Sequence, residues 1–185
     1  MKIIGEDFNT QEDILKLINK STPSSSAKLL ITKIEEHSGW ICITGCVDNS
    51  EFYIKYSSYM FDTSILISFF AELVDLKEDI AMFLDNEGSF PMLYAKNIDN
   101  DNVRFMFAHD YILFENDEAD DDCLPLYKIE CDVIISKHIL LEEFYNILFP
   151  YTKNYDLKLI EAHYSEFNLK NGGKYLEIIK KYLNV

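Results

Sequence analysis

The sequence predicts an α+β fold, an antiparallel β-meander with helices packed on one face, and three observations carry that expectation. Apolar residues alternate through several short runs separated by turn-type clusters, the pattern of half-buried strands joined by hairpins. Between and after those runs stand segments whose apolar residues recur at three- and four-residue steps behind a polar cap, which is the helical pattern. The chain of 185 residues is 48% apolar and 14% aromatic, enough large side chains to fill a core that an acidic disordered chain lacks.

Residues 11–20 put Ile14, Leu15, Leu17 and Ile18 on one side of a short helix, with Thr10 as its N-cap and Ser21, Thr22, Pro23 and the following serines as its stop. Strands are expected over 28–35, 40–47 and 51–57, with His37-Ser38-Gly39 and Asp48-Asn49-Ser50 as the turns. Asp62, Thr63 and Ser64 offer caps for a helix reaching to residue 76, in which Ile65, Phe69, Phe70 and Leu73 share a face. The second half repeats the plan with strands over 80–84, 90–97, 103–109, 111–114 and 126–135. Its turns are Asp85-Asn86-Glu87-Gly88 and Asp99-Asn100-Asp101-Asn102, both suited to side-chain capping of the backbone. A helix over 136–148 should end at Pro150, 157–169 fits helix or strand, and Gly172-Gly173 precedes a last amphipathic helix over 174–183.

One domain over 1–185 is the expectation. An offset of 74 lays Phe61, Ile65, Phe70 and Leu73 onto Ile135, Ile139, Phe144 and Ile147. Two similar halves, 1–77 and 78–185, are therefore an open alternative to shared strand-to-helix patterning.

Net charge is −15, and its placement says more than its size. Glu72 to Asp132 holds 17 acids against Lys77, Lys96, Arg104 and Lys128, a local net of −13, whereas the remaining 15 acids and 13 bases nearly cancel. Such a field attracts basic surfaces and repels nucleic acid and anionic lipid. The phosphate-neutralising Lys and Arg are outnumbered by acids and include one arginine, Arg104, so direct nucleic-acid binding is not expected. No run reaches the ~18 consecutive apolar residues of a membrane span, and the opening MKIIGEDFN lacks a secretory apolar region. Cys42, Cys46, Cys123 and Cys131 are accordingly read as reduced thiols of a cytoplasmic protein.

The chemistry-bearing residues form no catalytic motif. Cys42 and Cys46 share a strand face but have no second Cys or His pair beside them, and His37, His109, His138 and His163 are scattered. Asp99-Asn100-Asp101-Asn102 opens like a calcium loop, yet Arg104 stands where the loop needs Gly and Asp110 where it needs Glu. No nucleophile elbow or phosphate loop is present, and His109 and Asp110, adjacent on a strand, point to opposite faces. The chain is read as no enzyme, with no cofactor and no metal.

Six of the eight residues from Glu115 to Asp122 are acidic, and apolar strand-like runs flank them. Like charges so close repel unless solvent or a partner screens them, which suits a connection that steers a basic protein. The partner-binding residues expected on a surface over 85–132 are Asp99, Asp101, Glu115, Asp117, Glu118, Asp120, Asp121 and Asp122. Tyr111, Phe114 and Tyr127 would supply apolar anchors. A solvated acidic face without a partner is the competing reading.

The aromatic-rich meander, the passage from Cys131-Asp132-Val133-Ile134-Ile135-Ser136 into Leu140-Leu141-Glu142-Glu143-Phe144 and the lack of a catalytic motif resemble the immunity proteins that protect bacteria from their own polymorphic or contact-dependent toxins. The resemblance covers the general style of 28–149 and transfers no individual residue. It implies a basic toxin partner, often a nuclease, held inactive by charge-steered binding. A nucleic-acid mimic that inhibits a DNA- or RNA-processing enzyme is the alternative, and an enzyme with an unrecognised carboxylate site the second. Oligomeric state is not legible.

Overall fold

A computed structural model describes residues 1–4, 11–25, 28–48, 50–57, 63–84, 91–111, 126–154 and 169–185. In chain order the elements are β1 (Lys2–Ile4), α1 (Gln11–Lys20), β2 (Ser24–Ser25), β3 (Leu29–His37), β4 (Trp40–Val47) and β5 (Ser50–Ser57). Then come α2 (Thr63–Glu72) with a 3-10 turn at Leu73–Asp75, β6 (Ile80–Phe83), β7 (Met92–Asn97), β8 (Asn102–Tyr111) and β9 (Leu126–Ser136). The helices α3 (Lys137–Asn154) and α4 (Leu169–Leu183) complete the order. The α+β class is as the sequence predicts.

The strands form a six-stranded sheet in the order β1-β6-β7-β8-β9-β2 and a three-stranded sheet β3-β4-β5. Sequential hairpins make β6 to β9 and β3 to β5 antiparallel meanders, while β1 joins β6 and β2 joins β9 in parallel. Hairpin chemistry sets the registers. Ser38 (φ 53°) and Gly39 (φ 84°) both occupy the positive-φ region that a two-residue primed turn requires, and Asp48 (φ 56°) does so in the next turn.

Alternation along the strands gives the large sheet two apolar faces. Met82, Leu93, Phe105, Phe107, Val133 and Ile135 point into one cluster with α2, α3, α4 and the inner residues Ile43, Phe52 and Ile54 of the small sheet. There Phe70 of α2 stacks on Phe144 of α3 at 3.9 Å, and Phe105 of β8 lies 6.0 Å from Phe144. Ala81, Phe83, Met92, Tyr94, Met106 and Ala108 point the other way, where Ile14 and Ile18 of α1 cover them. Three helices thus share one face and α1 takes the opposite one. Phe70 and Phe144 are one of the pairs aligned by the 74-residue offset, and the starts of α2 and α3, at Thr63 and Lys137, are the same distance apart.

Several boundaries differ from the sequence reading. Pro150 lies inside α3 instead of ending it. Gly172 and Gly173 lie inside α4, and a Cβ on Gly172 would stand 3.4 Å from Ile67 Cδ1 and 3.5 Å from Ser64 Cβ. The missing side chain lets α4 lie close on α2, so tertiary packing overrides the helix-breaking tendency. The two strands expected over 103–109 and 111–114 are, as far as Tyr111, one strand with a register shift between Phe107 and Ala108. The extra residue of that bulge is Glu130 of β9, so β8 runs on without a break, and it is the polar pair His109-Asp110 that looks like one when the sequence is read linearly. Expectations placed on Thr10, Ser26, Asn49, 58–62, 85–90, 112–125 and 155–168 lie outside the described residues.

Candidate functional site

The acidic stretch resolves into paired and unpaired charge. Its four cations all contact acids of the same stretch: Lys77 lies 3.3 Å from Asp75, Lys96 3.6 Å from Asp79, Arg104 2.8 Å from Asp132 and Lys128 2.8 Å from Glu130. Two more cations come from the N-terminal end, with Lys2 Nζ 2.8 Å from Glu72 and the Met1 amino group 3.1 Å from Glu78. Apart from the buried Arg104–Asp132 pair, exposed pairs of this kind stabilise by only about 0–1 kcal/mol, but they cancel charge. Of the 17 acids six are paired in this way, and Asp99 and Asp101 have no such partner among the described residues. The other nine are Asp85, Glu87, Asp110 and the six of 115–122.

Strand ends show where those nine attach. Phe83 faces Met92 where β6 meets β7, and Leu84 N–H donates to Pro91 O at 2.9 Å. Met92 faces Ala108, Asp110 faces Tyr127, and Tyr111 faces Leu126. The described residues bracketing 85–90 and 112–125 therefore lie at one end of the large sheet, two strands or about 10 Å apart. Tyr127 is half-buried there, packed with Ile129 at the margin of the α1-covered cluster. The backbone of Tyr111 ends β8 at the same place. Phe114, Glu115, Asp117, Glu118, Asp120, Asp121 and Asp122 lie outside the described residues.

Asp99 and Asp101 stand at the opposite end, in the β7–β8 turn, and β8 separates them from Asp110 by about 30 Å. Asp99 Oδ1 accepts the N–H groups of Asp101 at 2.9 Å and Asn102 at 2.8 Å, and both its carboxylate oxygens accept from Asn102 Nδ2. The Asn102 side chain, followed by the two backbone donors, holds the Asp99 carboxyl below the usual carboxylate range. Asp101 O accepts the Lys137 N–H at 2.8 Å, fixing the turn to the start of α3. The structure thus brings Tyr111, Asp110 and Tyr127 together and keeps Asp99 and Asp101 apart from them.

A polar centre absent from the sequence reading lies under α1. Arg104 donates from Nε to Asp132 Oδ1 at 2.9 Å and from Nη2 to Oδ2 at 2.8 Å, and the same nitrogen reaches the carbonyls of Ile18 at 3.0 Å and Ser21 at 3.3 Å. The Ser21 hydroxyl donates to the same carboxylate. Nearby, Tyr94 Oη donates to Asp79 Oδ2 at 2.8 Å, and burial followed by this bond raises the phenol's pKa. A lone Arg alternating with apolar neighbours in a strand was the available signal. These groups fasten α1 and β2 to the sheet.

A groove of about 400 Å³ opens at the β1 edge, floored by Val74, Leu76, Ile80, Tyr175 and Ile178. The charges on its rim are mutually paired, Lys2 with Glu72 and Lys77 with Asp75. Cys42, Cys46 and Cys131 carry free thiols. Burial pushes the Cys131 thiol up to about 12, and burial followed by the Glu35 carboxylate raises that of Cys42.

Fold and site together define an acidic α+β protein in which six acids of 72–132 are ion-paired and Asp99 and Asp101, among the described residues, are not. Among the described residues no group of three or more His, Cys, Asp or Glu is arranged to hold a metal ion, and no helix is long and apolar enough to cross a membrane. No family model, curated protein or solved structure matches the chain.

Proposed function

We propose that this protein is an acidic inhibitor of a basic protein, of the immunity type, acting on a cognate bacterial toxin in the cytoplasm. The observation that carries this reading is charge placement: every cation of 72–132 contacts Asp75, Asp79, Glu130 or Asp132, and nine of the eleven acids outside the ion pairs of the described residues belong to 85–90, Asp110 and 115–122. Two acidic connections leaving one sheet end reinforce each other's field and steer a cationic surface toward it. Tyr111, Phe114 and Tyr127 are the proposed apolar contacts beside that charge. A nucleic-acid mimic needs unpaired carboxylates in ordered rows, whereas Glu130 and Asp132 on β9 are ion-paired, which favours the first reading.

The test begins with affinity capture from the native cell at low ionic strength, followed by association kinetics with the purified partner. Replacing Asp117, Glu118, Asp120, Asp121 and Asp122 by Asn and Ser should slow association at least tenfold at low salt, with the difference shrinking as salt rises. An unchanged association rate and affinity would refute the reading. A turnover activity lost on changing a single carboxylate would replace it with an enzyme.

A further inference from the structure

The two edges of the small sheet are treated differently. α3 packs along β3, and the Ile31 N–H donates to Glu143 Oε2 at 2.9 Å, so that edge is capped. Among the described residues β5 has β4 as its one strand neighbour. Val47 and Ser50 close the two-residue β4–β5 turn, and hydrogen-bonded pairs recur at every second residue from there. Phe52 and Ile54 therefore turn their N–H and C=O groups to β4. Those of Glu51, Tyr53 and Lys55 point along the outer edge.

The side chains of the same three residues are exposed, Tyr53 at 49%, above the buried Phe52 and Ile54. An edge of this length templates strand addition unless like charges blunt it. Here the charges are of opposite sign and stand symmetrically, Glu51 two residues before Tyr53 and Lys55 two after. Antiparallel pairing of two copies about Tyr53 sets each Glu51 against the other copy's Lys55 and Tyr53 against its counterpart. Phe52 then meets Ile54 on the buried side. In the single chain these charges rest on the sheet's own face: Tyr53 Oη donates to Glu51 at 2.7 Å, and Lys55 Nζ lies 4.2 Å over the Trp40 ring.

Electrostatics selects the same surface. Two chains of −15 repel, but residues 28–57 hold Lys28, Lys33 and Lys55 against Glu35, Glu36, Asp48 and Glu51, a net of −1. The small sheet is where two copies approach with little repulsion. We propose that the β5 edge is a self-complementary interface, at which two copies of this chain pair antiparallel about Tyr53 and join their small sheets into one six-stranded sheet. The area is modest for a dimer, so association is reversible and concentration-dependent.

Sedimentation velocity from about 1 µM to about 1 mM at physiological ionic strength spans the affinities of such an interface. The wild type should dimerise within it. Glu51→Lys and Lys55→Glu should each raise the dissociation constant about tenfold, because an attractive cross-strand pair becomes repulsive twice. The double swap Glu51→Lys/Lys55→Glu should restore the wild-type value. Tyr53→Pro, tolerated where an N–H points off an edge, should abolish the dimer. Far-UV circular dichroism verifies that each variant folds, and the double swap and Tyr53→Pro decide the matter should a single swap fail to fold. A wild type that stays monomeric throughout, a dimer indifferent to the single swaps, or a double swap that does not restore pairing would overturn the proposal.

Discussion

Truncating Asp132 measures how firmly α1 and β2 are held on the large sheet. The Arg104 and Asp132 side chains are 12% and 5% exposed, and two charge-assisted hydrogen bonds join them. Removing one member of a buried pair costs about 3–5 kcal/mol, because the other charge is left without compensation. Arg104 keeps two acceptors, the carbonyls of Ile18 and Ser21, which places the expected loss at the lower end, about 3 kcal/mol. The Ser21 hydroxyl also loses its acceptor, adding about 1 kcal/mol. The total for Asp132→Ala, about 4 kcal/mol, is a large share of the ~5–15 kcal/mol by which domains are stable.

Urea unfolding followed by far-UV circular dichroism reads this directly, as a fall in midpoint at unchanged slope. Arg104→Met/Asp132→Leu should recover most of the loss, since it removes both charges and keeps the volume apolar. An Asp132→Ala variant within about 1 kcal/mol of wild type would refute the reasoning, because ordinary surface changes reach that size. So would a double variant as unstable as the single one. The first outcome would mean that apolar contacts of Ile14 and Ile18 alone hold the helix, and the second that the loss comes from the hydrogen bonds themselves and not from an uncompensated charge.

Three shorter expectations accompany it. Gly45→Ala should cost about 1–3 kcal/mol in urea titration: its Cβ would lie 2.3 Å from Phe52 Cζ, and Phe52→Leu in the same chain should relieve part of the loss. Peptide-mapped alkylation at pH 8 should label the half-exposed Cys46 and leave Cys131 unmodified, since burial lifts that thiol to about 12. The raised value stabilises the folded chain fully below the ordinary thiol pKa of 9.0, and the contribution is lost as pH rises toward 12, a decline that Cys131→Ala should lessen. Asp99 carries the opposite sign: its contribution is present above the ordinary carboxylate range and is lost as pH falls through its lower folded value. Asp99→Ala should lower the melting temperature at neutral pH and flatten its dependence on acid.

The strands were legible where alternation is uninterrupted. β4 begins and ends where its pattern of Trp40, Cys42, Thr44 and Cys46 against Ile41, Ile43 and Val47 predicts. β1 and β2, at three and two residues, are too short for periodicity and exist because a sheet edge accepts them in parallel. Gly172 misled because its missing side chain answers to α2, a partner more than a hundred residues away in the chain. At the site, local chemistry was legible and assembly was not. The Asp99 turn follows from neighbouring residues, whereas the Arg104–Asp132 pair depends on strand register and on the end of α1.

Register also bears on which acids steer a partner. Charge acts in concert over about one Debye length, ~8 Å at physiological salt. The strand ends that bracket 85–90 and 112–125 lie about two strands apart at the end of the sheet where Asp110 stands, while Asp99 and Asp101 lie about 30 Å away along β8. Asp99 is further engaged by four hydrogen bonds within its own turn, so it presents lone pairs to the backbone before it presents charge to a partner. Neutralising Asp101 with Asn should therefore change the association rate by less than twofold at physiological salt, where neutralising the acids of 115–122 changes it at least tenfold. Equal effects at the two ends would mean that the partner spans the whole length of β8, and the docking surface would then be the sheet's long dimension instead of one end.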